Sequence, residues 1–244
     1  MQIQAETIRG SSRANNEDAF LISHEYGDRG EFALVSVADG MGGGSYGELA
    51  SSLAVDSLAS EFSSGIENGH RFEELCADIL KGFSEANHKI RQLSEKLGAG
   101  WMGTTLSSML VNGFNVFVTN IGDSRTYIID SEGHIFFRTK DHSYAQELAD
   151  AGEIKYEDVR RDYRRNELTR ALGIIDEISP DSNVVKVHSG YFALLCTDGL
   201  WEYIEDNEIC ETVASKGKDK LSFMIRTARE RGSTDDITSV LLGF

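Results

Sequence analysis

One proline, Pro180, is all that these 244 residues contain, and no Ser/Gly-rich spacer, internal repeat or low-complexity tract accompanies it. Linkers between separate modules are therefore not expected, and residues 1–244 read as a single domain. Cysteines are few and odd in number: Cys76, Cys196 and Cys210. That excludes a disulfide framework and predicts reduced core residues of a cytoplasmic protein, Cys196 lying inside an apolar run. Basic residues are scarce, 24 Lys and Arg against 40 Asp and Glu, for a net charge of −16. A nucleic-acid-binding surface is disfavoured on that ground. The same field repels phosphorylated ligands, so chemistry on them needs a local positive centre. No apolar stretch approaches the roughly 20 residues of a membrane span, and the opening MQIQAETIRG has no hydrophobic run. Neither a membrane anchor nor a signal peptide is expected. The six histidines show no paired ligand spacing, which disfavours zinc.

What is present is 40% hydrophobic residues, enough for a sizeable core. β-rich runs occupy 18–23, 32–38, 105–111, 115–121, 125–130, 134–138, 192–197 and 237–243. Asn112-Gly113 is a hairpin signal, so at least the middle of the sheet is expected to be antiparallel. Apolar stripes at helical spacing fill 46–62 and 71–97, and helices also fit 143–151, 206–215 and 218–231, the last stopped by Gly232. Both long stripes read as helix-on-sheet core. Strands in blocks separated by amphipathic helices predict a layered α+β fold.

The chemistry concentrates at strand ends. Asp39 follows the apolar run Phe32–Ala38 and opens a loop with five glycines, Gly40, Gly42, Gly43, Gly44 and Gly47. Two readings fit it: a strand-to-helix turn with an aspartate cap, or a cation site combining a carboxylate with the Gly40 carbonyl. The pattern recurs. Glu17 and Asp18 precede an apolar run, Asp123 follows Gly122 after 115–121, Asp198 precedes Gly199 after 192–197, and Asp235 and Asp236 precede the final run. Aspartate and glycine are common in turns, but so many such junctions are hard to explain as turns alone. Two unit charges 4 Å apart repel by about 1 kcal/mol in water and about 4 kcal/mol at an effective dielectric of 20. A converging, fully ionised set is tolerable only with divalent cations, and all-oxygen ligands select Mg²⁺ or Mn²⁺. Two ions about 3.5–4 Å apart can activate water and clamp phosphoryl oxygens. Arg13, four residues before Glu17, reads either as a solvated surface residue or as a fork for phosphate.

The set Arg13…NED, ADGMGG…GELAS, GTTLSSMLV, NIGDSRTY, TKDHSYAQEL, RRNELTRALG, TDGLWEYI and STDDIT resembles the metal-dependent phosphatases of the protein phosphatase 2C family, in their compact bacterial form. The motifs occur in family order from about residue 9 to Phe244. The resemblance implies a four-layer αββα sandwich, two central antiparallel sheets flanked by helices, with a dimetal site at one edge. It implies that Asp39 bridges two ions (Mn²⁺ or Mg²⁺), that Gly40 offers its carbonyl, and that Asp198 and Asp235 complete the first ion. Glu17, with Asp18 beside it, holds the second largely through water. Asp123 with Asp198 matches a weaker third-metal position, and Arg13 binds substrate phosphate. Residues 143–166 correspond to the variable flap that shapes substrate access. The implied reaction is Ser/Thr phosphoprotein dephosphorylation by a metal-bridged hydroxide, without a phosphoenzyme. The implied partners are phosphorylated proteins and a bacterial Ser/Thr kinase opposed by the phosphatase, with a monomer as the default state.

Two departures matter. Met41 stands where the animal enzymes carry a histidine proposed as general acid, which leaves a metal-bound water, or His142, to protonate the leaving alkoxide. Asp236 replaces a frequent Asn and adds a carboxylate beside Asp235. Two other classes compete with this reading. A catalytically silent phosphoprotein-binding module would be expected to lack metal ligands, and none is missing. Another two-metal hydrolase, such as a nuclease, conflicts with the acidic surface.

Overall fold

The structure, a computed structural model, describes residues 1–42, 46–217 and 219–244. Gly43 and Gly44 of the Asp39 loop, and residue 218 at the expected start of the last helix, lie outside the described residues.

Two antiparallel sheets form the centre. The first runs β2 (Asp18–Gly27), β3 (Gly30–Gly42), β5 (Leu106–Asn112), β6 (Asn115–Ile121) and β9 (Asp181–Lys186), with β4 (Met102–Thr104) paired to the end of β3. The second runs β1 (Gln2–Ile8), β11 (Ile237–Gly243), β10 (Phe192–Cys196), β7 (Arg125–Ile129) and β8 (Ile135–Arg138). Asn112 and Asn115 pair across the β5–β6 turn, and Gly113 there has φ 60°, a left-handed conformation that glycine adopts without strain.

The side chains sort into three apolar layers. Between the sheets lie Val35, Val37, Met109, Val118, Ile128, Leu195 and Val240. On the outer face of the first sheet, Leu34, Leu106 and Leu110 meet α1 (Tyr46–Glu67) and α2 (Phe72–Leu97) through Leu58, Phe62, Ile79 and Phe83. On the outer face of the second, Leu194, Cys196 and Leu241 meet α5 (Asp206–Ala214) and α6 (Lys220–Glu230) through Ile209, Val213 and Met224. This is the expected αββα sandwich. β3 reads as a continuous apolar run because both of its faces are covered. α2 begins where the Arg71 N–H donates to the Glu74 carboxylate at 2.8 Å and ends at Gly98 in a left-handed cap.

Three strands carried no signal in the sequence, β1, β9 and the three-residue β4. β1 (QIQAETI) and β9 (DSNVVK) are edge strands, each paired on one side only, so they need no apolar run. The segment 143–166 holds α3 (Tyr144–Asp150) and a short 3₁₀ turn, Tyr156–Arg161. It is fastened to α4 (Asp198–Trp201) and α5: Arg165 Nε reaches Glu202 Oε1 at 2.6 Å and Arg160 Nη2 reaches Asp206 Oδ1 at 2.7 Å.

Candidate functional site

The acidic residues gather at one edge of the sandwich because that is where strands of both sheets begin or end. Asp18 starts β2 and sits opposite Asp39 near the end of β3. Asp123 lies in the turn from β6 to β7, Asp198 opens α4 straight after β10, and Asp235 precedes β11. The two sheets are tied together at this edge: Thr197 Oγ1, at the end of β10, donates to Asp18 Oδ2 at 2.9 Å and accepts the Thr238 N–H at 3.0 Å. Nearby, Thr105 and Ser124 hydroxyls meet at 2.6 Å, and Thr105 Oγ1 also accepts the Asp39 N–H at 2.9 Å.

Glycine is required by closeness here. A Cβ on Gly40 would lie 2.1 Å from the Gly47 carbonyl oxygen and 2.4 Å from that of Glu17. A Cβ on Gly199 would lie 2.0 Å from the Asp236 carbonyl oxygen. The glycine after each of these aspartates therefore lets a neighbouring segment pass directly beside the carboxylate.

The electrostatics record the crowding. Burial pushes the Asp39 carboxyl well above the ordinary carboxylate range, and Asp198, Asp18, Asp123 and Asp235 add to the push. Asp123 is raised by burial and then by Asp198, and Asp18 by burial with Asp236 and Asp198 behind it. Asp198 is pushed up to about 7 by burial, then Glu202 and Asp235, against a stabilising hydrogen bond from Asp39. Glu17 is raised chiefly by burial and held down by Arg13. Without added positive charge, this cluster retains protons.

Arg13 supplies part of that charge. Its Nε donates to Asp235 Oδ1 at 2.7 Å, its Nη2 to Asp235 Oδ2 at 2.9 Å, and its Nη1 reaches Glu17 Oε2 at 3.4 Å. The Asp235 hydrogen bond raises the guanidinium pKa further. Asp236 faces elsewhere: Oδ1 accepts the Gly10 N–H at 2.6 Å and Oδ2 the Glu17 N–H at 2.8 Å. It pins the segment carrying Arg13 and Glu17, a backbone role the sequence did not reveal.

These donors suit a hard divalent cation. Glu17 Oε1, Asp18 Oδ1 and Asp198 Oδ1 are buried without a hydrogen-bond partner, a costly state that a cation relieves. All are oxygens, as Mg²⁺ and Mn²⁺ prefer. Among the described residues no three His, Cys, Asp or Glu side chains close on one point as a ready-made cage. Asp39, Gly40, Asp123, Asp198 and Asp235 line a cleft of about 450 Å³, whereas Glu17 and Asp18 are not part of its lining, a spread that fits ions keeping several of their waters.

Arg13, Asp39, Gly40, Met41, Asp123, Asp198 and Asp235 all line that cleft. His142 does not. It is 1% exposed, its Nδ1 accepts the Gly122 N–H at 3.1 Å, and its Nε2 faces Asp181 Oδ2 at 3.3 Å. Burial, then the charge of Arg170, lowers its pKa. It is a structural imidazole, not an acid open to the cleft. Sequence reasoning missed the support beneath Asp123: Trp201 Nε1–H donates to the Asp123 carbonyl at 2.9 Å, and Arg125 stacks on Trp201 with its guanidinium carbon 3.4 Å from the ring centre. Arg125 is buried and grips Asp141 at two points, 2.8 and 2.6 Å. An arginine two residues after Asp123 was the only available hint.

Known proteins are similar to this chain along most of its length. The profile described as Protein phosphatase 2C matches residues 6–237. Protein phosphatase PhpP of Streptococcus pneumoniae is 34% identical, the alignment covering 99% of this chain and 97% of that one. The crystal structure of serine/threonine phosphatase Stp1 from Staphylococcus aureus superposes with a TM-score of 0.88 at 30% identity, covering 100% of this chain and 94% of the other. The catalytic domain of serine threonine protein phosphatase PstP, solved in complex with two manganese ions, superposes with a TM-score of 0.79 at 31% identity, covering 98% and 96%. With a family profile spanning most of its length and relatives of this similarity along its whole extent, the chain belongs to the protein phosphatase 2C family.

Proposed function

We propose that this metal-dependent Ser/Thr phosphatase removes phosphate from phosphoserine and phosphothreonine side chains of proteins by direct attack of water on phosphorus, with no phosphoenzyme. Glu17, Asp18, Asp39, Asp198 and Asp235, with the Gly40 carbonyl, would hold two divalent ions, Mn²⁺ or Mg²⁺. Asp123 with Asp198 offers a weaker third position. When bound, the ions lower the pKa of water and neutralise phosphoryl oxygens.

The residues do the rest. Arg13 carries a planar fork suited to two phosphate oxygens, and Asp235 and Glu17 hold it in place beside the carboxylates. Asp236 fixes the backbone that carries both Arg13 and Glu17. Met41 brings no proton to the cleft and His142 is sealed from it, so the leaving alkoxide takes its proton from water.

The observation that carries this reading is the convergence of strand-end carboxylates with three buried, unpartnered oxygens. A silent phosphoprotein-binding module, which would be expected to have lost such positions, is not favoured. Hydrolysis of a phosphothreonine peptide tests it: activity with Mn²⁺ that is abolished by EDTA and by Asp39→Ala is expected. Activity that survives either treatment overturns it.

The finer reading is a bacterial signalling enzyme working against a Ser/Thr kinase in the cytoplasm, as a monomeric single catalytic domain over residues 1–244. Within it, residues 143–166 act as the flap governing substrate access. Among the described residues no helix is long and apolar enough to cross a membrane. Phosphoproteomics of a deletion strain, compared with strains lacking individual Ser/Thr kinases, tests the partner.

A further inference from the structure

We infer that the active cleft contains an apolar subsite, built from Trp101, Ile174 and Ile175, that receives a hydrophobic side chain of the substrate within two residues of its phosphorylated Ser or Thr. The inference rests on the phosphatase reading above.

These three side chains line the same cleft as Arg13, Asp39 and Asp198. They are large and apolar yet open to solvent: Trp101 is 54% exposed, Ile174 45% and Ile175 39%. Singly, exposed apolar residues are ordinary; three beside one another on a catalytic cleft are not. They come from two segments, Trp101 just before β4 and the two isoleucines from the turn after Leu172.

That turn is locked. Thr104 and Leu172 exchange backbone hydrogen bonds of 3.1 and 3.0 Å, fastening it to β4. Gly103 lacks the Cβ that would lie 2.8 Å from Ile174 Cδ1, so the isoleucine lies flat on the strand. Asn87, on α2, is only 3% exposed. Its Nδ2 donates to the carbonyls of Ile175 and Asp176 at 3.0 and 3.1 Å, and its Oδ1 accepts the Gly173 N–H at 2.7 Å. Arg91 adds an ion pair with Asp176. A loop held this firmly, with its apolar side chains turned to solvent, is preorganised for a ligand and saves the ordering cost of binding one.

Continuity identifies the occupant. The phosphoryl group is held at the carboxylate end of the cleft, and an extended peptide advances about 3.3 Å per residue. Because one cleft of about 450 Å³ holds both the carboxylates and this wall, the side chains next to the phosphorylated residue are the ones that would meet it. The wall they meet is aromatic and aliphatic, so it selects apolar partners.

The test uses phosphothreonine peptides with glycine at the two positions on each side, and variants with leucine or phenylalanine at one of them. The wild-type enzyme with Mn²⁺ is expected to show about tenfold higher kcat/KM for at least one apolar variant, the low end of what a hydrophobic subsite discriminates. That ratio should fall to about one in Trp101→Ala and in Ile175→Ser, and persist in Tyr26→Ala. No apolar preference in the wild type, or a preference that survives both cleft variants, overturns the subsite. So does a Trp101-dependent shift from dimer to monomer on sedimentation without any change in the ratio, which assigns the patch to self-association. Hydrolysis of the all-glycine peptide is a separate readout: its absence in the wild type counts against the phosphatase reading itself.

Discussion

The Arg13 guanidinium grips the Asp235 carboxylate at two points, Nε to Oδ1 at 2.7 Å and Nη2 to Oδ2 at 2.9 Å. The residue assigned to substrate phosphate is thus also the counter-ion of a residue assigned to metal. A cation at Asp235 would compete with the Arg13 fork for the same oxygens, and on this account metal loading is expected to release the fork towards phosphate. Removing the guanidinium should then act in opposite directions on the two ligands. In Arg13→Ala, calorimetry is expected to show tighter Mn²⁺ binding and roughly tenfold or more weaker inorganic phosphate binding, the loss expected for a hydrogen bond to a charged group. Weakening of both, or of neither, contradicts the competition.

Asp198 links the site to pH. Burial, Glu202 and Asp235 push its folded-state carboxyl up to about 7, against about 3.9 in an unfolded chain. The folded protein then binds this proton more tightly than the unfolded one. Its stabilising contribution is full below about pH 4 and is lost as pH rises towards about 7. In EDTA, the melting temperature of Asp198→Asn should match the wild type near pH 4 and exceed it by several degrees near pH 8. Comparing the variant with the wild type at each pH cancels the titrating groups outside this acidic cluster. A gap that stays constant with pH rules out the assignment.

Arg125 tests the scaffold under Asp123. Its buried fork on Asp141, its stacking on Trp201 and the Trp201 hydrogen bond to the Asp123 carbonyl form one connected support. Arg125→Ala leaves a buried carboxylate unpaired and should cost about 3–5 kcal/mol in urea denaturation. The double variant Arg125→Met with Asp141→Leu should recover most of that loss. A single variant within about 0.5 kcal/mol of wild type, the range of ordinary surface changes, would mean that the pair is not structural.

Gly199 is a further check on how Asp198 is placed. A Cβ there meets the Asp236 carbonyl at 2.0 Å, and backbone cannot yield as a flexible side chain does. Gly199→Ala is expected to lower the melting temperature and to weaken Mn²⁺ binding measured by calorimetry. Wild-type values for both would show that the contact is not tight.

Much of this was legible from the sequence, for physical reasons that differ by element. β3 announced itself because Phe32–Ala38 is covered on both faces, and α2 because its stripe of Leu75, Ile79, Phe83 and Ile90 faces one sheet. The aspartates stood out because each ends or begins such a run. β1 and β9 were silent because an edge strand needs apolar residues on one face at most. The hydroxyl bridge from Thr197 to Asp18 joins residues 179 positions apart, which no local pattern encodes. Asp236 looked like one more carboxylate for the cluster, and only the fold shows its oxygens turned to the Gly10 and Glu17 amides. His142 looked available as an acid until its burial behind Gly122 and Asp181 was visible.

The most direct test of the central claim is a Mn²⁺ titration of the purified protein and of Asp39→Asn by calorimetry, each paired with hydrolysis of a phosphothreonine peptide. The account predicts two ions per wild-type chain, with at least one lost in Asp39→Asn together with nearly all hydrolysis. An Asp39→Asn protein that binds Mn²⁺ with wild-type stoichiometry and affinity, or that still hydrolyses the peptide at the wild-type rate, would contradict it.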